Sequence, residues 1–414
     1  MNRREFLKTA ATLGLFTVIP LGTGGWAVGG PGPARKRLIV LFLRGAVDGL
    51  SVVVPHFESA YYDARPTIAI PRPGGTDGVL DLDGRFGLHP ALEAVMPLWQ
   101  QGSLAFVHAC GSPDATRSHF DAQDYMESGT PGDKNTPGGW LNRLLAVLPG
   151  THTPTQGVSV GETIPRIFSG PIPVANLSLG KDAARKLPLD RPAIKEAFAR
   201  MYQGTDPLSV AYQKGSAQRE ELLKQLDALD EEQKIADHGA PSPLGFSLEA
   251  QKLAGLIQRD PSIQLAFMDL GGWDTHVNQG AVHGQLAGHL RPLADGLSTL
   301  VKGLGDTYQD TTILVMSEFG RTFRENGNAG TDHGHGNVMW ALGGRVQGKR
   351  IYGDWPGLTD SRLYQGRDLA ITMDFRQVLT EVLAEHLALN EQQLATVLPG
   401  APGRSPLLQG LAKA

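Results

Sequence analysis

The apolar positions of this chain follow two periods. Four runs, at 37–43, 104–110, 263–270 and 311–317, are nearly continuous stretches of apolar and β-branched residues. Each is too short for a helix and does not alternate, which predicts strands buried on both faces of a parallel sheet. Between the runs the spacing changes. In 89–101, Leu92, Val95, Met96 and Trp99 recur at helical intervals, the stripe of a core-facing amphipathic helix. Residues 246–258, 277–303, 374–387 and 390–397 read as helices in the same way. Strands alternating with helices predict an α/β protein, its mainly parallel sheet covered on both faces.

Two segments break this pattern. Residues 151–247 are rich in Pro and Gly, poor in strand signals, and lead into a charged helix over 207–237. This stretch reads as an insertion or cap. Its Glu220, Glu221, Asp227, Asp230, Glu231 and Glu232, mixed with Lys and Arg, describe a solvated face without chemistry. At the other end, Arg3, Arg4, Glu5, Phe6, Leu7 and Lys8 stand directly before an apolar, Gly-containing stretch reaching about Gly30. That is the pattern of a twin-arginine export signal. The expected organisation is a signal segment at 1–34, one large domain at 35–400 with the insertion inside it, and a tail at 401–414.

Composition narrows the class. A formal net charge of -4 gives no electrostatic reason to expect nucleic acid, and no apolar run after residue 30 is long enough to span a bilayer. Membrane contact is therefore expected only through the signal segment. Cys110 is the single cysteine, so no intrachain disulfide can form, as suits a chain that folds in a reducing cytoplasm before export.

The chemistry gathers where the apolar runs stop. After Ser317 come Glu318, Gly320, Arg321 and Arg324, then Asp332, His333 and His335. After Leu270, two glycines lead to Trp273, Asp274, Thr275 and His276; after Leu43, Arg44 and Gly45 lead to Asp48. Carboxylates and imidazoles are the ligands that zinc, manganese and similar ions accept. Parallel strands place their carboxyl ends at one edge, where ligands of open α/β sheets bind. Asp48, Asp274, His276, Glu318, Asp332, His333 and His335 are thus the candidate metal ligands. The run 104–110 leads into Thr116, Arg117, Ser118 and His119 at a predicted helix start. There Ser118 is either an N-cap or a nucleophile favoured by free backbone amides, and Thr116 is a second hydroxyl. Arg117 and His119 could assist an oxyanion or bind a metal.

In order along the chain, RREFLK, LFLRGAVDGLS, TRSHFDAQDYMESG, DLGGWDTH, SEFGRT and TDHGHGN resemble the bacterial twin-arginine-exported proteins grouped as domain of unknown function 1501. That family is similar in turn to the alkaline phosphatase and sulfatase superfamily, a three-layer α/β/α sandwich with metal sites at the carboxyl ends of its strands. The resemblance implies a metal role for Asp48, Asp274, His276 and Glu318, a last histidine at His333 or His335, and a nucleophile at Ser118 or Thr116. It also implies an exported protein partner. Two departures stand out. Glu318 and Phe319 replace the superfamily's Asp-His, so one imidazole is missing, and a second ion is either absent or held by His119 or the extra histidine. Neither Cys110 nor Ser112 starts a C/S-x-P-x-R sequence, which disfavours a formylglycine sulfatase.

The expected function is an exported, periplasmic, metal-dependent hydrolase of phosphate or sulfate esters. It would use one or two divalent ions, zinc first among them, with Ser118 or a water as attacking group and Arg321 as a clamp on the ester. The alternative is a non-catalytic binding or assembly protein of the same fold with a structural ion.

Overall fold

In the computed structural model, the four apolar runs all form strands, and among the described residues eight further segments join them. In chain order these are β1 (Arg37–Leu43), β2 (Val53–Val54), β3 (Leu80–Asp81), β4 (Gly87–Leu88), β5 (Leu104–Gly111) and β6 (Gly157–Val160). They continue with β7 (Ala175–Leu177), β8 (Leu265–Leu270), β9 (Thr311–Ser317), β10 (Asn337–Gly343), β11 (Arg350–Tyr352) and β12 (Met373–Asp374). The structure describes residues 35–413 apart from 151, 162, 178–191, 207–208, 210–211 and 214–244. The expected signal segment and most of the expected charged helix at 207–237 lie outside the described residues.

The main sheet has nine strands in the order β11-β5-β10-β9-β1-β8-β6-β7, with β12 also beside β5. Every pairing in it is parallel except those of β10, which runs antiparallel to both β5 and β9. The register sets Leu43 level with Leu270 on one side and with Ser317 on the other, so the carboxyl ends of β1, β8 and β9 are flush. Asn337, the first residue of β10, pairs with Cys110 near the end of β5. The 318–336 connection therefore leaves and re-enters the sheet at one edge. That is how the DHGHG run reaches the other strand ends.

Period two within each strand decides which residues meet which helix layer. Ile39, Leu41 and Leu43 of β1 pack into a core with Leu253, Leu256, Leu290, Leu293 and Leu297, from the helices Phe246–Arg259 and Gln285–Leu304. Leu38, Val40 and Phe42 pack on the other face with Leu141, Leu144, Val378, Leu379, Val382 and Leu383, from the helices Trp140–Val147 and Phe375–Glu385. The result is a three-layer α/β/α sandwich about a mixed, mainly parallel sheet. A fully buried aliphatic side chain contributes about 1.5–3 kcal/mol, and all seven β1 residues are buried.

Two local readings change. The stretch at 151–247, read as strand-poor, contributes β6 and β7 to the main sheet, with β6 pairing directly on β8. The helix expected over 277–303 begins only at Gln285, because the residues before it form a loop in which the Gln279 side chain is spent on hydrogen bonds to Asp48, Thr275 and Thr331.

Candidate metal centre

Four loops meet at the carboxyl edge of the sheet. The loop after β8 carries Asp274 and His276, the helix His119–Ser128 after β5 begins with His119, and the 318–336 connection supplies His333 just before β10. The loop after β1 packs against them through Gly45, and close backbone approach makes this meeting feasible. Gly45 has φ 115°, and a Cβ there would lie 2.8 Å from the Asp274 nitrogen. Gly334 lies so near the Arg321 carbonyl that a Cβ would collide with it. The connection folds back on itself here, with Arg321 bridged to His333 and hydrogen bonds from Gly320 N to His335 O at 2.9 Å and from Thr322 N to Asp332 O at 2.9 Å.

Three ligand atoms, His119 Nε2, Asp274 Oδ1 and His333 Nε2, form a triangle. Its sides are 2.9 Å between the imidazoles, 3.6 Å from His119 to Asp274 and 3.3 Å from His333 to Asp274. His276 Nε2 lies beyond one side, 2.9 Å from Asp274 Oδ1 and 3.0 Å from His333 Nε2. Ligand atoms around a tetrahedral zinc stand about 3.3 Å apart, given bonds of about 2.0–2.1 Å. The triangle has the size of one face of such a shell.

The outer nitrogens of the three rings explain why the inner ones converge. His119 Nδ1 is 2.8 Å from Glu318 Oε1, His276 Nδ1 is 3.2 Å from Asp332 Oδ1, and His333 Nδ1 is 2.9 Å from the Arg117 carbonyl oxygen. All three partners are acceptors, which favours the tautomer with the proton on Nδ1 and a lone pair on Nε2. In that tautomer three lone pairs and the Asp274 oxygen face one another, an arrangement that a bound cation would stabilise, beside the Arg321 guanidinium already 2.6 Å from Asp274 Oδ1. An outer carboxylate or carbonyl on the far ring nitrogen is also the usual support of a metal-bound histidine. The donor set, imidazole and carboxylate, fits zinc.

Charge follows the same geometry. The Glu318 hydrogen bond raises the affinity of His119 for a proton, whereas burial, reinforced by the neighbouring His119, lowers that of His333. Burial would raise the Asp274 carboxyl, but the Arg321 guanidinium at 2.6 Å outweighs it and keeps the group below the usual carboxylate range. Burial acts on Glu318 in the same sense and is outweighed by hydrogen bonds from His119 and Gln123.

The expected site residues therefore divide. Asp274 and His333 lie in the triangle, and His276 adjoins it. Glu318 does not: it is fully buried, and its Oε1 already accepts from Gly45 N, His119 Nδ1 and Gln123 Nε2, so it orients a ligand. Asp332 likewise supports His276, helped by Asn326 at 3.0 Å. Asp48 is not brought into the cluster: its oxygens accept from Arg65, at 2.6 and 3.1 Å, and from Gln279 at 2.7 Å. His335 is not part of the cluster; its ring stacks on Tyr364, centroids 4.1 Å apart. Arg321 is buried and bound to Asp274 and Thr331, so it positions Asp274 and is not free to clamp an ester. Ser118 is the N-cap of its helix, accepting from Asp121 N at 3.4 Å, and Thr116 Oγ1 accepts from Ser118 N at 3.2 Å.

His119 is the member of this cluster that the sequence underweights. A signal is present: His119 and Gln123 lie four apart on one helix face, and both meet Glu318. Arg65, the partner of Asp48, stands in no motif and carries no comparable signal.

The chain belongs to the family described as "Protein of unknown function (DUF1501)", whose model matches residues 35–398. No curated protein matches the sequence. Among solved structures, the C-terminal periplasmic domain of EcEptC from Escherichia coli, in complex with Zn, is 10% identical, with 75% of this chain and 73% of that one covered at a TM-score of 0.34. The lipoteichoic acid synthase LtaP from Listeria monocytogenes is 10% identical, with 83% and 76% covered at 0.32. The PsFucS1 sulfatase from Pseudoalteromonas sp. is 11% identical, with 92% and 72% covered at 0.34. Overlaps this low define neither the fold nor the activity of this chain.

Proposed function

We propose that this protein is an exported, metal-dependent hydrolase of phosphate or sulfate esters, with one divalent ion, zinc by its donor set, held by His119, Asp274 and His333 and adjoined by His276. The observation that carries the reading is the convergence of three imidazole Nε2 atoms whose Nδ1 atoms all face acceptors. When bound, such an ion supplies Lewis-acid polarisation of an ester oxygen and activation of a water. The chain's own residues hold that centre in place. Glu318 fixes the ring of His119, Asp332 that of His276, the Arg117 carbonyl that of His333, and Arg321 the carboxylate of Asp274.

The site is open. Side-chain exposure is 27% for His119, 44% for Asp274, 38% for His276 and 26% for His333, and open coordination favours a catalytic over a purely structural ion. That exposure supports the hydrolase reading over a binding or assembly protein with a closed structural site. Ser118 Oγ is bonded only to the Asp121 amide, which supports a capping role and leaves the attack to water. Export rests on Arg3 and Arg4, and no helix among the described residues is long and apolar enough to cross a membrane.

The test is metal analysis of the purified protein, followed by turnover of aryl phosphates and aryl sulfates with and without chelator. Chelator-sensitive turnover is expected, together with metal lost in His333→Ala. A zinc-loaded parent that cleaves neither ester class rejects the hydrolase and favours the binding protein.

A further inference from the structure

His333 is bracketed by two arginines whose charge the centre does not use. Arg117 gives its carbonyl oxygen to His333 Nδ1, and Arg367 donates from Nη2 to the His333 carbonyl oxygen at 3.0 Å. Both guanidinium groups share one carboxylate. Arg117 Nη2 lies 2.6 Å and Arg367 Nη1 3.8 Å from Asp368 Oδ2. Two guanidinium groups thus gather beside His333, and both are reachable from solvent, since the two side chains are 30% and 41% exposed.

The hydrogen bonding is also incomplete. Among the described residues, Arg117 Nε is buried without an acceptor and Asp368 Oδ1 without a donor, although a buried polar group is expected to find a partner. Asp368, fully buried, and Gln365 accept from Arg117 Nη2 at 2.6 and 3.0 Å, so the guanidinium is fixed in place before any ligand arrives. A rigid, planar set of donors with spare N–H groups matches the oxygens of a phosphate or sulfate, which arginine binds through two parallel hydrogen bonds.

We propose that Arg117 and Arg367 form an anion subsite, adjoining the metal centre at His333, that takes a phosphate- or sulfate-type group of the substrate. The proposal rests on the ester-hydrolase reading for its ligand but not for its geometry. Arg367 is the primary target, because its side chain is the more exposed and its loss leaves Asp368 paired with Arg117. Arg117→Gln removes the partner of a buried carboxylate and serves as the second variant.

The experiment is calorimetric titration of inorganic phosphate, and separately of inorganic sulfate, into protein of verified metal content at low ionic strength. Parent protein is expected to bind, Arg367→Gln to bind at least tenfold more weakly with the same metal content, and Arg367→Lys to recover part of the loss. Equal affinity in parent and Arg367→Gln overturns the proposal, as does a parent that binds neither anion. Ester turnover is measured on the same samples. A parent that binds phosphate through Arg367 and cleaves no ester keeps the subsite and rejects only the hydrolase.

Discussion

Glu318→Gln tests the centre through a residue that does not touch the ion. The substitution keeps the shape of the side chain. A carboxamide oxygen can still face Gly45 N, His119 Nδ1 and Gln123 Nε2, which lie 2.8, 2.8 and 2.9 Å from Oε1, and the new NH2 group can face Ser317 Oγ, 2.9 Å from Oε2. What disappears is the negative charge behind His119. Hydrogen bonds to a charged acceptor contribute about 1.5–3 kcal/mol against about 1 for neutral ones, so roughly 1–2 kcal/mol of support for a cation-binding imidazole is lost. That corresponds to about a 5- to 30-fold loss of metal affinity, overlapping the lower part of the roughly 10- to 100-fold range typical of removing an outer partner. The assay is zinc affinity by competition with a chromophoric chelator, paired with thermal melts at a fixed free zinc concentration. A tenfold weaker site removes about 1.4 kcal/mol of zinc-linked stability. The melting temperature of the metal-free variant should change far less than that of the zinc-bound one. Zinc affinity equal to the parent's would refute the assignment of His119 to the centre.

Other expectations follow from the same geometry. Ser118→Ala should cost about 1 kcal/mol of stability as a lost helix cap and leave ester turnover nearly intact; a loss on the order of a hundredfold in rate with metal retained would make Ser118 the nucleophile instead. Acidification should destabilise the metal-free protein through His89, His108 and His386, whose imidazoles burial lowers to about 4. The unfolded chain then binds more protons between about pH 6.5 and 4, so this stability is full above 6.5 and is lost toward 4, by on the order of 3 kcal/mol per histidine. Urea unfolding across that range checks it, and His386→Gln should flatten the slope. Replacing Arg3 and Arg4 together by Lys should leave folded precursor in the cytoplasm, and unchanged periplasmic accumulation would argue against the twin-arginine route.

The sheet was legible because its strands are buried on both faces, which leaves uninterrupted apolar runs, and because each strand ends in glycine and polar residues. β6 and β7 were missed because they are short and carry Ser, Asn and Gly signals that read as loop. The site was legible as a set of strand-end acids and imidazoles, but not as roles. Sequence records that Glu318 and Asp332 are carboxylates; it does not record that donors from Gly45, Gln123 and Asn326 fill their oxygens before an ion could. His335 is separated from His333 by one residue, and only the backbone path through Gly334 turns one ring to the centre and the other onto Tyr364.

Asp48 bears on how many ions the protein holds. Its carboxylate follows β1 at the same edge as the centre, yet it is fully buried, and burial alone would raise its pKa. The Arg65 charge and hydrogen bonds outweigh that and lower it. Arg65 in turn donates to Ser51 Oγ and to the carbonyl oxygens of Phe323 and Thr322, at 2.9, 2.8 and 2.8 Å. The guanidinium is therefore a cation built into the chain where the sequence led us to expect a metal ion. A buried pair of this kind tolerates loss of one partner poorly, at about 3–5 kcal/mol, so Arg65→Met should be strongly destabilising whether or not zinc is present. Among the described residues, the ligand atoms of His119, Asp274 and His333 lie within 4.8 Å of one another, with His276 Nε2 at 2.9 Å from Asp274 Oδ1 and 3.0 Å from His333 Nε2, and Asp48 takes no part in this cluster. The expected stoichiometry is one zinc per chain by elemental analysis, unchanged in Asp48→Asn if that variant folds. Two equivalents in the parent, falling to one in Asp48→Asn, would mean that Asp48 exchanges Arg65 for an ion and would refute the assignment.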